Sequence, residues 1–131
     1  MRYLLDTGVW LWSLMAPERI REEARLILAD GTREAFLSAA SSFEISLKWA
    51  LGKLPLPEPP ARYIPDRMAA LGIEPMPVTH AHALDVSELP RYHTDPFDRL
   101  LISQARVENM VILTADRAFR LYPVKILWCG Q

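Results

Sequence analysis

His93-Thr94-Asp95-Pro96-Phe97-Asp98-Arg99-Leu100-Leu101-Ile102-Ser103-Gln104-Ala105 reads as the sharp opening of a helix. Asp95 has the short acceptor side chain of an N-cap, and Pro96 follows at the first helical position, where its missing N–H leaves nothing unpaired. Asp98 then falls in the first turn. Leu101, Ile102 and Ala105 lie three, four and seven residues beyond it, so helical spacing puts its carboxylate at the head of the stripe predicted to face the core. A first-turn acid complements the positive helix end by a few tenths to about 1 kcal/mol. An acid aligned with the buried face also suggests chemistry, the more so because Asp6, Glu44 and Asp116 stand at other element boundaries.

Upstream, Arg2 to Leu5 is a short apolar run ended by Asp6-Thr7-Gly8, which predicts a buried strand and a turn. A short helix over 9–14 follows, then a second over 20–30 with Ile20, Ala24, Ile27 and Leu28 at helical spacing, closed by Gly31. Ala35 to Ser38 predicts another strand. Ser41-Ser42-Phe43-Glu44 matches a capping box, with Ser41 as N-cap and Glu44 reaching back, although such a glutamate can also face a cleft. The proline run 55–60 is a stiff connector to a helix over 61–71. The stretch 73–78 carries two prolines and predicts at most an edge strand, after which Thr79 caps a helix to about Ser87. His80 and His82, two apart, point to different faces and make a poor metal pair. Beyond the Pro96 helix, Val111 to Leu113 and Val124 to Leu127 predict two more strands, the first ended by Thr114-Ala115-Asp116.

The chain has 131 residues, half of them hydrophobic and 24% charged. These are the proportions of a globular protein, and a single domain over residues 1–131 is expected. Fifteen basic against sixteen acidic residues leave a net charge of -1, without the basic excess of a protein that holds nucleic acid by charge alone. Cys129 is the one cysteine, which excludes an internal disulfide or a cysteine-rich zinc site and fits a reducing cytoplasm. Asp6 interrupts any apolar leader, and no run approaches a membrane span, so a soluble cytoplasmic protein is expected. No internal repeat, GxGxxG or Walker A signature is present.

Strands alternating with helices predict an α/β fold with a mainly parallel sheet covered on both faces. Such sheets bind ligands at the C-terminal ends of their strands, where connectivity reverses. Asp6 and Asp116 end strands, and the helices carrying Glu44 and Asp98 begin at the same edge, so four acids are expected in one crevice. Four close carboxylates repel strongly unless a divalent cation joins them. An all-oxygen donor set suits Mg²⁺ or Mn²⁺, which can orient water, polarise a phosphoryl oxygen and stabilise a leaving oxygen. Phosphodiester hydrolysis fits better than kinase chemistry. Arg99, Arg117, Lys48 and Lys53 are candidates to hold flanking phosphates near this crevice.

Leu4-Leu5-Asp6-Thr7, Ser38-Ala39-Ala40-Ser41 leading to Glu44-Ile45, Leu51-Gly52-Lys53-Leu54, Asp95-Pro96-Phe97-Asp98-Arg99-Leu100-Leu101 and Thr114-Ala115-Asp116 together resemble the PIN domain. Within that family the chain is similar to the VapC-type ribonuclease toxins of toxin-antitoxin pairs. The resemblance covers nearly the whole chain and implies a three-layer α/β/α sandwich. It implies that Asp6 and Asp98 touch metal directly, that Glu44 and Asp116 act through water, and that the Thr114 hydroxyl lines the pocket. It further implies an RNA substrate, a homodimer, a cognate antitoxin wrapping the active-site groove, and DNA met only through that antitoxin. Gly8 and Tyr92 stand where close relatives often have histidine, departures that bear on substrate preference. Asp95 is a second candidate for the metal role of Asp98, besides capping its helix. Trp10, Trp12, Trp49, Phe43 and Leu54 are candidates for a hydrophobic partner surface, with core packing the alternative for most of them. Two other classes remain: a phosphoacceptor, receiver-like signalling domain, although 73–79 supplies no aspartate ending a middle strand, and a catalytically silent PIN-like binding module.

Overall fold

The computed structural model describes residues 1–131, and the apolar runs form strands where the sequence places them. In chain order these are β1 (Arg2–Leu5), α1 (Thr7–Met15), α2 (Glu22–Ala29), β2 (Glu34–Ser38), α3 (Ala39–Ala50), α4 (Pro60–Leu71), β3 (Glu74–Met76), α5 (His80–Asp85), α6 (Pro96–Glu108), β4 (Val111–Thr114) and β5 (Lys125–Trp128). Short 3₁₀ turns cover Pro17–Arg19, Val86–Glu88 and Arg117–Leu121.

Every strand pair is parallel, in the order β3-β2-β1-β4-β5. β1 is central, Tyr3 pairing with Ala35 of β2 on one side and Val111 of β4 on the other. The chain therefore winds outward from β1 to β3, crosses back, and winds outward again through β4 and β5. The β1/β4 gap is where the direction of winding reverses, the place at which open α/β sheets bind ligands. A receiver-like fold would have order 2-1-3-4-5, so the signalling alternative is set aside by topology.

Period-two alternation along the strands feeds two cores, one on each face of the sheet. Leu5 and Leu113 pack with Val9, Trp10, Ile20, Ala24 and Ile64 beneath α1, α2 and α4. Their neighbours Leu4 and Ile112 point the other way and pack with Leu101, Ile102, Ala105 and Phe119 beneath α6. Helix, sheet and helix thus form the three layers expected. Leu101 and Ile102 are fully buried and Ala105 nearly so, as the spacing from Asp98 predicts.

One local reading is corrected. Ser41 is not an N-cap: β2 passes directly into α3 at Ser38, whose Oγ accepts from Ala40 N–H. Ser41 lies inside the helix, buried, where its Oγ accepts from the Thr7 hydroxyl, and Glu44 is released from any capping role. Leu47 on α3 and Leu51 just after it are exposed. Trp10 belongs wholly to the core, whereas Phe43 and Trp49 are exposed. No helix is long and apolar enough to cross a membrane.

The α6 stripe predicts a contrast in stability. Leu101→Ala is expected to destabilise the fold by about 2–5 kcal/mol through the cavity it leaves, while Leu47→Ala on the exposed face of α3 stays within about 0.5 kcal/mol. Urea unfolding of both variants measures this, and equal effects would contradict the assignment of buried faces.

Candidate active site

Asp6 leaves the end of β1 as the N-cap of α1. One carboxylate oxygen accepts from Val9 N–H at 2.6 Å, and the other accepts from the hydroxyl of Thr114 at the end of β4. The Thr114 oxygen in turn accepts from the Asp116 N–H at 3.0 Å. A single buried threonine therefore ties the two acids of the β1/β4 gap to one another. Asp116 starts the 3₁₀ turn after β4, its Oδ1 accepting from Ala118 N–H. Asp95 caps α6 through Oδ1, which accepts from Phe97 N–H and Asp98 N–H, and this fixes Asp98 in the first turn.

Glu44 enters from α3, one turn deeper than the capping-box reading would have it. Its Oε2 pairs with Lys48 Nζ at 2.5 Å, whereas Oε1 is buried with no hydrogen-bond partner. All four predicted acids, with Asp95 and Lys48, line one open cavity of about 360 Å³. Asp6 and Glu44 are only 6% and 5% exposed, so little water relieves the charge that gathers there.

That burial changes how the acids hold protons. Burial pushes the Asp6 carboxyl up to about 6, opposed by the Thr114 and Val9 hydrogen bonds and reinforced by the charges of Asp116 and Glu44. Asp98 is pushed up to about 7, first by burial and next by Asp95, with His93 pulling the other way and Asp6 and Glu44 adding to the rise. Lys48 is held above its ordinary value, chiefly by its hydrogen bond to Glu44. These shifts have the sign that like charges in a poorly solvated cleft require.

Several expected contacts fall elsewhere. Arg99 does not reach the cavity: its guanidinium donates to the carbonyls of Pro90, Val86, Leu89 and His93 and to the Tyr122 hydroxyl, bracing the loop before α6. Thr114 is fully buried and holds Asp6 rather than facing a ligand. Arg117 is exposed on the turn after Asp116, and Lys53 is exposed beyond the end of α3, outside the cavity lining. His93, given no site role from the sequence, lies at the centre: its Nε2 is 3.0 Å from Asp98 Oδ2 and 2.9 Å from Asp116 Oδ2. The only local signal for it is the two-residue step to Asp95, whose N–H donates to His93 Nδ1 at 3.1 Å.

The donor set fits a hard divalent cation. It is a ring of carboxylates without thiolate, and the orphaned Glu44 Oε1 is a buried acceptor that a cation or its water would satisfy. Asp6 and Asp98 are the residues that could hold it directly. One atom each from His93, Asp98 and Asp116 also come within 4.8 Å of one another.

The PIN domain family model matches residues 3–125. Ribonuclease VapC16 of Mycobacterium tuberculosis is 52% identical over 60 residues, which are 46% of this chain and 43% of that protein, so the match spans under half of the relative's length. Among solved structures, VapBC2 from Rickettsia felis bound to a fragment of promoter DNA superposes with a TM-score of 0.75 at 17% identity, covering 99% of this chain and 100% of that one. DNA-bound VapBC from Salmonella typhimurium superposes with a TM-score of 0.67 at 18% identity over 98% of each chain. At such identities the superpositions speak for the fold.

The raised acids set a pH dependence of stability. Asp6 and Asp98 hold protons in the fold up to about 6 and about 7, while the unfolded chain releases them near 3.8. Their stabilising contribution is complete below the unfolded value and is lost as pH rises through the folded values. In EDTA, wild type is therefore expected to lose stability relative to Asp98→Asn between about pH 4 and pH 7, and excess Mn²⁺ to abolish that loss. Denaturant melts across this window measure it; a difference that stays flat or reverses sign contradicts the reading.

Proposed function

This chain belongs to the PIN domain family, and on that premise we propose that it is a Mg²⁺- or Mn²⁺-dependent endoribonuclease, a VapC-type toxin held silent by a cognate antitoxin. The observation that carries the proposal is the convergence of Asp6, Glu44, Asp98 and Asp116 on one cavity, with a buried Glu44 oxygen left unpaired. The RNase name of the Mycobacterium tuberculosis relative supports the substrate class, and the toxin-antitoxin assemblies among the structural neighbours support the partner. A homodimer, an RNA substrate, contact with DNA only through the antitoxin and action in the cytoplasm complete the reading.

A bound Mg²⁺ or Mn²⁺ supplies Lewis-acid polarisation of the scissile phosphate and stabilisation of the leaving oxygen. The protein does the rest. Asp6, clamped by Val9 N–H and the Thr114 hydroxyl, and Asp98, fixed by the Asp95 cap, are the direct holders. Glu44 and Asp116 act through water, with the Glu44 carboxylate orienting an attacking water and taking its proton. Lys48, half-exposed beside Glu44, offers its ammonium to a flanking phosphate, and the exposed Arg117 offers a second cation. Local contacts of this kind replace the basic surface that a chain of net charge -1 lacks. With all four acids retained, nothing favours the catalytically silent module.

Purified protein is expected to cleave single-stranded RNA with Mg²⁺ or Mn²⁺ and to stop on addition of EDTA. Asp98→Asn is expected to lower kcat at least about a hundredfold, the scale of losing one preorganised charge-stabilising group, with circular dichroism unchanged. Cleavage that persists in EDTA, or at the wild-type rate in Asp98→Asn, contradicts the mechanism.

A further inference from the structure

We infer that His93 is a positioning residue whose Nε2–H donates to Asp116 and stands beside Asp98, and that it is not a ligand of the cation. The inference rests on the metal-dependent reading above and adds a role to it. His93, Asp98 and Asp116 look like a metal trio because their contacts of 2.9 and 3.0 Å match the spacing of about 3 Å between neighbouring ligands of a six-coordinate ion with bonds near 2.1 Å. The other ring nitrogen separates the two roles.

His93 Nδ1 faces the backbone N–H of Asp95 at 3.1 Å. That group can only donate, so Nδ1 must present its lone pair, and in a neutral imidazole the proton then sits on Nε2. An Nε2 bearing a proton donates to carboxylates and cannot coordinate. To ligate, the ring would have to move its proton to Nδ1, where it would oppose the Asp95 N–H. Asp95 is not free to turn aside, because its own side chain caps α6 through Phe97 N–H and Asp98 N–H. The ring is held as well: the His93 N–H donates to the Tyr122 hydroxyl at 2.8 Å, and Phe119 packs edge-on with ring centroids 6.0 Å apart.

The Nε2–H lies between two carboxylates from different elements, α6 and the turn after β4, and its partial positive charge offsets their repulsion. It donates to Asp116 Oδ2 at 2.9 Å with Asp98 Oδ2 3.0 Å away, while Asp116 Oδ1 is already taken by Ala118 N–H. Without it nothing in the protein ties Asp98 to Asp116, and the site must gather them when the cation arrives.

Two measurements test this. Long-range ¹H–¹⁵N NMR of the His93 ring is expected to find the Nε2–H tautomer in metal-free protein and again with saturating Mg²⁺; a switch to Nδ1–H on adding Mg²⁺ would make His93 a ligand and overturn the inference. In Mn²⁺ titration calorimetry, His93→Ala and His93→Asn are expected to weaken binding about 10- to 100-fold, as loss of a residue orienting metal ligands does. His93→Gln, whose amide N–H reaches the place of Nε2, is expected to restore most of the affinity, which a merely structural role would not distinguish from Asn. Equal affinity of wild type and His93→Ala overturns the inference while leaving the nuclease reading intact. A wild type that binds no Mn²⁺ overturns the reading itself, and with it the role of His93.

Discussion

Mutual repulsion among carboxylates gathered in one cleft is the constraint around which this protein is built. Two unit charges about 4 Å apart repel by roughly 1 kcal/mol in water and about 4 kcal/mol at an effective dielectric of 20. Five acids line the cleft, against one lysine. The fold answers with hydrogen-bond donors: the Thr114 hydroxyl and Val9 N–H on Asp6, the helix-start N–H groups on Asp95, and the Ala118 N–H and His93 ring N–H on Asp116. These donors position the acids without cancelling their charge. The remaining imbalance favours a cation over empty solvent.

Such crowding is tolerable because the backbone leaves the acids little choice. β1 and β4 lie side by side in a parallel sheet, buried on both faces, and both deliver an acid at their C-terminal ends. α3 and α6 bring Glu44 and Asp98 to the same edge because each follows the winding of that sheet. Stability invested in two cores holds a locally unfavourable site in place, as is common where function and folding compete.

Much of this arrangement is legible in the sequence because it depends on short-range rules. The Asp95-Pro96 start, the Leu101/Ile102/Ala105 stripe and the apolar runs of β1, β2 and β4 follow from local chemistry, and each forms within a residue or two of its predicted bounds. What the sequence hides is set by tertiary contact. The serine-to-glutamate spacing after β2 imitates a capping box, yet Ser38 already caps the helix because the strand runs straight into it. Arg99 stands beside Asp98 in sequence, but its long side chain turns to the carbonyls of a loop with no fixed pattern. His93 meets Asp116 across 23 residues of chain, and no local period announces such a meeting.

The proposed divalent-ion site between the ends of β1 and β4 draws its ligands from residues far apart in sequence. Anomalous diffraction at the manganese edge from crystals soaked in Mn²⁺ tests it most directly. A peak is expected within coordination distance of Asp6 and Asp98, with His93 Nε2 outside the coordination sphere. Absence of any peak in the cleft at saturating Mn²⁺, or a peak elsewhere on the surface alone, would contradict it.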